Sequence, residues 1–213
     1  MIIAVDGPAA SGKGTLARRL AQHYGLGYLD SGALYRAVAR DVLAAGADPS
    51  DEAAAERIAS GLDPASLDDE ALRHHQVSET ASIVARFPGV RAQLLDQQRR
   101  FAGRPQGAVL DGRDIGTVVC PDADIKIFVV ASEEERARRR HLELAEGGTQ
   151  LEYDAVLSDI RKRDRRDRER SAAPLKPAPD AHLLDTTNLD IEAAFMAAVE
   201  LIDAAVDRAG RSC

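Results

Sequence analysis

Gly7 and Gly12 bracket four residues, Pro8, Ala9, Ala10 and Ser11, and Lys13 follows directly. This G-x-x-x-x-G-K spacing is the frame of a phosphate-binding loop. Small residues let the backbone curl so that successive N–H groups converge on phosphate oxygens. A helix beginning where the loop ends adds its positive dipole end. Lys13 adds a full charge near the terminal phosphates. Hydrogen bonds to a charged acceptor contribute roughly 1.5–3 kcal/mol each, so a handful can hold a nucleoside triphosphate. A glycine turn with an incidental lysine would carry the same letters, and the flanking residues argue against it. Ile2, Ile3, Ala4 and Val5 form a branched apolar run before the loop, and Leu16, Leu20 and Tyr24 recur at helical spacing after it. Gly7 to Thr15 are therefore the expected triphosphate site. Gly14 stands where the general motif has a Ser or Thr for magnesium, and Thr15 comes one place later as a candidate ligand.

A second constellation is Leu110-Asp111-Gly112-Arg113-Asp114. A carboxylate at the end of an apolar strand is suited to magnesium, commonly through water, so Asp111 is the other metal candidate. Arg113 can grip phosphate with a planar fork. Read alone, the same residues fit a D-G turn that caps a helix; a phosphate loop on the same sheet edge favours the chemical reading. A third feature is cationic. Arg136, Arg138, Arg139 and Arg140 crowd one segment, and Arg161 to Arg170 holds seven basic and three acidic residues in ten. Such runs are usually solvated helix faces laced with ion pairs. In an acidic chain, some of these arginines are expected to meet phosphate. A donor and an acceptor that both carry charge need neutralisation and exclusion of water, so an arginine-rich lid is expected over about 147–175. The nucleophile would be an already ionised phosphate oxygen, which requires no protein base. His74-His75 lacks a further ligand at metal spacing and reads as surface.

The elements that must position these groups follow from the pattern. Strands are expected at 2–6, Tyr28-Leu29, Gly107–Leu110, Ile125–Val130 and Ala181–Leu184. Helices are expected at Lys13 to His23, Ala33 to Ala45 with Ser31 as cap, Ala53 to Leu62, Asp69 to Phe87, Val90 to Phe101, Ser132 to Glu146 and Tyr153 to Arg168. Pro64 breaks the insert, and Ser132 with Glu135 makes a capping box. The last helix starts at Asp190 with Ile191, Phe195, Val199, Ile202 and Val206 as its buried stripe. Strands alternating with helices predict an α/β fold, a five-stranded parallel sheet with helices on both faces. Ligands of such sheets bind beyond the carboxyl ends of the strands, which gathers the three constellations on one rim. The expected organisation is a core of 1–45, 104–146 and 181–213, a helical insert of about 46–103, and the lid.

The 213 residues fit one such unit. The net charge of −7 argues against a general nucleic-acid binder. Cys120 and Cys213 form no disulfide framework, so a reducing compartment is expected. The chain enters its first strand without an apolar leader, and no run reaches membrane length. A cytoplasmic monomer is expected.

Together, GPAASGKGT (7–15), YLDSGALYR (28–36), FPGVR (87–91), DGRDIGT (111–117), PDADIKIF (121–128) and RDRRDRERSAAPL (163–175) resemble the bacterial cytidylate kinases, in order and over nearly the whole chain. GKGT alone is shared with many monophosphate kinases, whereas DSGA-YR with DGRD-GT discriminates. The resemblance implies transfer of the terminal phosphate of ATP to CMP or dCMP, with Mg2+. It implies Ser31, Tyr35 and Arg36 at the acceptor site, with Arg36 on the acceptor phosphate, and Ser82, Arg91 and Asp114 on the cytosine edge. It places Arg113 and Arg170 on phosphate, catalytic together with Lys13, and Arg163 and Asp167 on the ribose hydroxyls, with Asp111 nearby. One departure stands out: bacterial relatives often carry a small antiparallel sheet in the acceptor insert, and 63–80 here is too short for that hairpin. Other readings remain distinct in what they require. A kinase for AMP, UMP or dTMP would share the scaffold. A GTP switch would need an N-K-x-D or T-K-x-D motif, which is absent. An RNA-binding regulator would need aromatic residues beside the basic cluster for stacking.

Overall fold

The computed structural model describes residues 1–63, 67 and 70–210. Five strands, β1 (Ile2–Asp6), β2 (Gly27–Asp30), β3 (Ala108–Gly112), β4 (Ile125–Val130) and β5 (His182–Asp185), form one parallel sheet in the order β2-β3-β1-β4-β5. The sheet is covered by α1 (Lys13–Tyr24), α2 (Ser31–Ala44), α5 (Pro88–Ala102) and α8 (Ile191–Gly210). To these are added α3 (Glu52–Ser60), α4 (His75–Val84), α6 (Glu133–Glu146) and α7 (Tyr153–Glu169).

The branched apolar runs are buried on both faces, as a parallel sheet requires. On one face Ile3, Val5, Ile127 and Val129 pack against Leu16 and Leu20 of α1 and Phe195 and Ile202 of α8. On the other, Ala4, Leu110, Ile115 and Val119 form a smaller core. A third apolar cluster lies where Leu34, Val38 and Val42 of α2 meet Ala55, Val77, Val84, Val90 and Leu94. It ties α3, α4 and α5 to α2.

Local signals explain most element ends. Gly25 adopts the left-handed conformation, φ 66°, and stops α1. Pro88 opens α5 and holds Phe87 in extended backbone. Several expectations are corrected. Asp30, not Ser31, caps α2, its carboxylate accepting from Ala33 N–H at 3.1 Å, because Ser31 is already the first helical residue. The capping box at Ser132 is half made: Ser132 Oγ accepts from Glu135 N–H at 3.2 Å, while the Glu135 carboxylate turns to Arg138 and Arg139. The helix expected from Asp69 to Phe87 is a 3-10 turn, Glu70–Arg73, followed by α4, with His74 extended between them. Asp69 and the break at Pro64 lie outside the described residues. The described residues of 63–80 contain no strand. In α8, Phe195 and Ile202 are buried, but Ile191 is 60% and Val206 46% exposed. Its 20 residues span about 30 Å, whereas β5 beneath it has four, so the helix ends overhang the sheet.

Candidate active site

Parallel register brings the rim together. Asp30 at the end of β2 lies opposite Asp111 of β3, and Asp6 at the end of β1 lies opposite Gly112. Beyond these ends runs a cleft of about 1990 Å³. Its floor is Ala9 to Thr15, and one wall is Ser31, Tyr35 and Arg36 of α2 with Ser82 of α4 and Arg91 of α5. The rest is Asp111 to Asp114 from the β3 end, and Arg163, Asp167 and Arg170 along and just past α7. Gly7 and Pro8 are not on this wall. Pro8 lines a separate cavity of about 240 Å³ behind the loop, and Gly7 serves by conformation. Its φ of 155° and its closeness to Val129 O leave no room for a side chain.

The loop is held in the curled form its letters predict. Ala10 and Gly12 have φ of 58° and 85°, the left-handed steps that turn N–H groups inward. Lys13 is 9% exposed. Burial pushes its ammonium down to about 7, and Arg113 acts in the same direction, against the opposing pull of Asp111 and Asp30. A phosphate between Lys13 and Arg113 would reverse that strain. Ser11 Oγ, Ser82 Oγ, Arg163 Nε and Arg170 Nη2 are buried without a hydrogen-bond partner, and all four residues line the cleft. Gln97 Oε1, Thr117 Oγ1 and Arg166 Nε, outside the cleft, are in the same state.

Asp111 is buried, and Tyr28 donates its hydroxyl to Asp111 Oδ2 at 2.7 Å. Burial and then Asp30 raise its carboxyl above the usual range, with Lys13 opposing. Burial also pushes Asp30 up, but Arg36, at 2.6 Å, outweighs it and holds Asp30 below its ordinary value. Two carboxylates facing each other across one strand pair, with Thr15 lining the same cleft, fit a hydrated divalent cation that would relieve their repulsion. Among the described residues no group of three His, Cys, Asp or Glu side chains gathers into a metal site. Such a cation would therefore need phosphate oxygens and water to complete its shell.

The half of the cleft away from the phosphate loop is a lattice of guanidinium–carboxylate pairs. Arg91 donates to Asp114 and to Ala85 O and lies over the Tyr35 ring at 5.4 Å. Arg113 Nε donates to Asp167 Oδ2 at 2.9 Å. Arg170 Nη2 stands 3.5 Å from Asp114 Oδ1, near enough for an ion pair without a hydrogen bond. Burial lowers Arg163 to about 10, helped by Arg113 and opposed by Asp167. Crowded cations of this kind attract anions.

The basic run divides in two. Arg163 and Arg170 line the cleft, whereas Arg161, Arg166 and Arg168 pair with Glu133, Glu79 and Asp164. Arg136 is 1% exposed and stands away from the cleft, paired with Asp164. Of the two histidines read as surface, His74 is exposed and His75 is partly buried, its Nε2 3.4 Å from Asp159 Oδ2 of α7. Composition and spacing also miss Asp6 and Tyr28. Asp6 accepts from Ile115 and Gly116 N–H, both at 2.8 Å, and fixes the turn after Asp114. Arg139 holds Thr186 O at 2.7 Å at the outer end of the phosphate loop. The available signal for Asp6 was its position, an acid at the carboxyl end of a parallel strand.

A five-stranded parallel sheet with a G-x-x-x-x-G-K loop, a buried lysine and converging arginines defines a P-loop phosphotransferase. The model described as cytidylate kinase matches residues 3–204, and the chain belongs to the cytidylate kinase family. It is 63% identical to the cytidylate kinase of Methylocella silvestris over 212 residues, 99% of this chain and 98% of that one. It is 61% identical to that of Rhodopseudomonas palustris strain CGA009, covering 99% of each. In fold it is similar to a gluconokinase from Sinorhizobium meliloti 1021, with a TM-score of 0.55 and 15% identity over 100% of this chain and 97% of that one. No described helix is long and apolar enough to cross a membrane.

Proposed function

We propose that this protein transfers the terminal phosphate of ATP to CMP or dCMP, giving ADP and CDP or dCDP. The observation that supports this most is the opposition, in one cleft, of Lys13 on the phosphate loop and the Arg91–Asp114 and Arg113–Asp167 pairs. ATP sits with its phosphates on Ala9–Thr15, and the acceptor lies between the insert, about 46–103, and the lid, about 147–175. Magnesium arriving with ATP supplies charge neutralisation, with Thr15 and Asp111 the residues that would hold it.

An acceptor phosphate oxygen is the nucleophile, so the protein's task is alignment and charge stabilisation. Lys13, Arg113 and Arg170 meet the transferring phosphate, and Arg36 the acceptor phosphate. Asp114 accepts from the cytosine amine, and Arg91 and Ser82 donate to its ring acceptors. Uracil would leave those buried groups mismatched. Arg163 and Asp167 meet the ribose hydroxyls. The enzyme works as a monomer in the cytoplasm.

Release of ADP, measured with CMP, dCMP, UMP, AMP and dTMP in turn, tests this reading. The highest kcat/KM is expected with CMP or dCMP; a preference for any other monophosphate, or no turnover with any, would overturn it.

A further inference from the structure

Arg136 heads the fully buried side chains by size, and it does not line the cleft. A guanidinium is tolerated in such a place only where its donors are matched. Its partners come from three parts of the molecule. Nε donates to Ala131 O at 3.0 Å, just past β4. Nη1 donates to Ala9 O, in the phosphate loop, at 3.2 Å. Nη1 and Nη2 together grip the two oxygens of Asp164 on α7 at 3.1 and 2.6 Å. Asp164 is itself 1% exposed. It sits beside Arg163 in sequence and one helical step from Asp167, the two α7 residues of the acceptor half.

We infer that Arg136 is a positioning residue that couples the two ends of the cleft, so that a triphosphate in the loop and a monophosphate at α7 favour each other's binding. The inference rests on the reading of donor and acceptor given above. The Ala9 carbonyl immediately precedes Ala10, whose left-handed backbone is part of the curled loop. Phosphate in that loop fixes the curl and, with it, the direction of Ala9 O. The bidentate fork has one geometry. A shift of α7 against the loop therefore breaks either the buried pair of Arg136 with Asp164 or the hydrogen bond of Arg136 to Ala9 O. Each nucleotide orders the joint the other requires, and the second to arrive loses less conformational freedom. None of the three partners of Arg136 is a ligand atom, so its effect appears in the coupling between sites.

The test is calorimetric titration of CMP into the free protein and into protein saturated with the magnesium complex of the β,γ-imido analogue of ATP. The wild type should bind CMP at least about 5-fold more tightly with the analogue present, the lower end of ordinary site–site coupling. Arg136→Lys keeps a charge on Asp164 but loses the fork. The double variant R136M/D164L replaces the buried pair with apolar side chains and guards against a merely unfolded single variant. Thermal melts identify the folded protein. In both variants the ratio should fall below about 2-fold while CMP affinity without the analogue changes little. Amide exchange along α7 should slow on adding the analogue to the wild type and not to the variants. An undiminished ratio in either folded variant overturns the inference, as does a wild-type ratio of one. A wild type that binds the analogue but no CMP would overturn the functional reading itself, a different outcome from lost coupling.

Discussion

Arg113 and Asp167 meet across the cleft at 2.9 Å, joining the turn that leaves β3 to helix α7. Burial alone would raise the Asp167 carboxyl; Arg113, then Arg163 and Arg170, more than offset it and hold the group below its ordinary range. One carboxylate therefore balances three cations on the cleft wall. In the proposed function, removing Arg113 takes away a charge aimed at the transferring group. Arg113→Ala should lower kcat by at least about 100-fold, comparable to the loss of a charge-stabilising donor elsewhere. Steady-state ADP release together with a melting curve checks this, and near-normal turnover in folded protein would remove Arg113 from the chemistry.

Asp114 lines the cleft, gripped by Arg91 and approached by Arg170, and in the proposed function it accepts from the cytosine amine. Asp114→Asn replaces one acceptor with a donor. The ratio of kcat/KM for CMP over UMP should fall by at least about tenfold, the scale of one well-made base contact. The two substrates measured side by side decide it; an unchanged ratio would exclude Asp114 from base reading.

Gly7 carries the phosphate loop out of β1 with φ 155° and faces Val129 O. A methyl group there must displace the backbone of β4. Gly7→Ala should destabilise the fold by about 1–3 kcal/mol, as overpacking does, and weaken ATP binding although Gly7 does not line the cleft. Denaturant unfolding with ATP titration tests both, and a neutral variant would mean that the loop tolerates a side chain at its entrance.

Asp6 has a sharper pH signature. Burial raises its carboxyl to about 6, against the lowering effect of the Gly116 and Ile115 amides. Between the ordinary value of 3.8 and about 6 the folded protein keeps a proton that the unfolded chain has released. The contribution of Asp6 to stability therefore falls as pH rises through that window, and the full penalty stands above it. Carboxyl-carbon NMR should show Asp6 titrating near 6. Titration at the ordinary aspartate value would mean that the amides dominate burial.

The phosphate loop and the five strands were legible because each depends on neighbours in sequence, and the parallel direction followed from strands alternating with helices. Ile2–Val5 and Ile125–Val130 declare buried strands by composition, and Gly7 to Lys13 declares its conformation by its glycines. Partner choice across the fold was not legible. Nothing in the letters of 136–140 says that Arg136 would be buried on Asp164 while Arg138 stays on the surface. His75 gave no sign of Asp159, nor Tyr28 of Asp111, since each pair joins segments more than 80 residues apart. The overhang of α8 depended on the length of the strand beneath it.

The claim on which the rest depends is that two anionic nucleotides lie end to end in this cleft. An adenosine–cytidine dinucleoside joined through five phosphates tests it most directly, by calorimetric affinity against ATP and CMP measured separately. The predicted result is binding at least about 100-fold tighter than ATP alone, as expected when one molecule fills two aligned sites. Binding no tighter than ATP would contradict the end-to-end arrangement, because a linked ligand would then be meeting only one of the two sites.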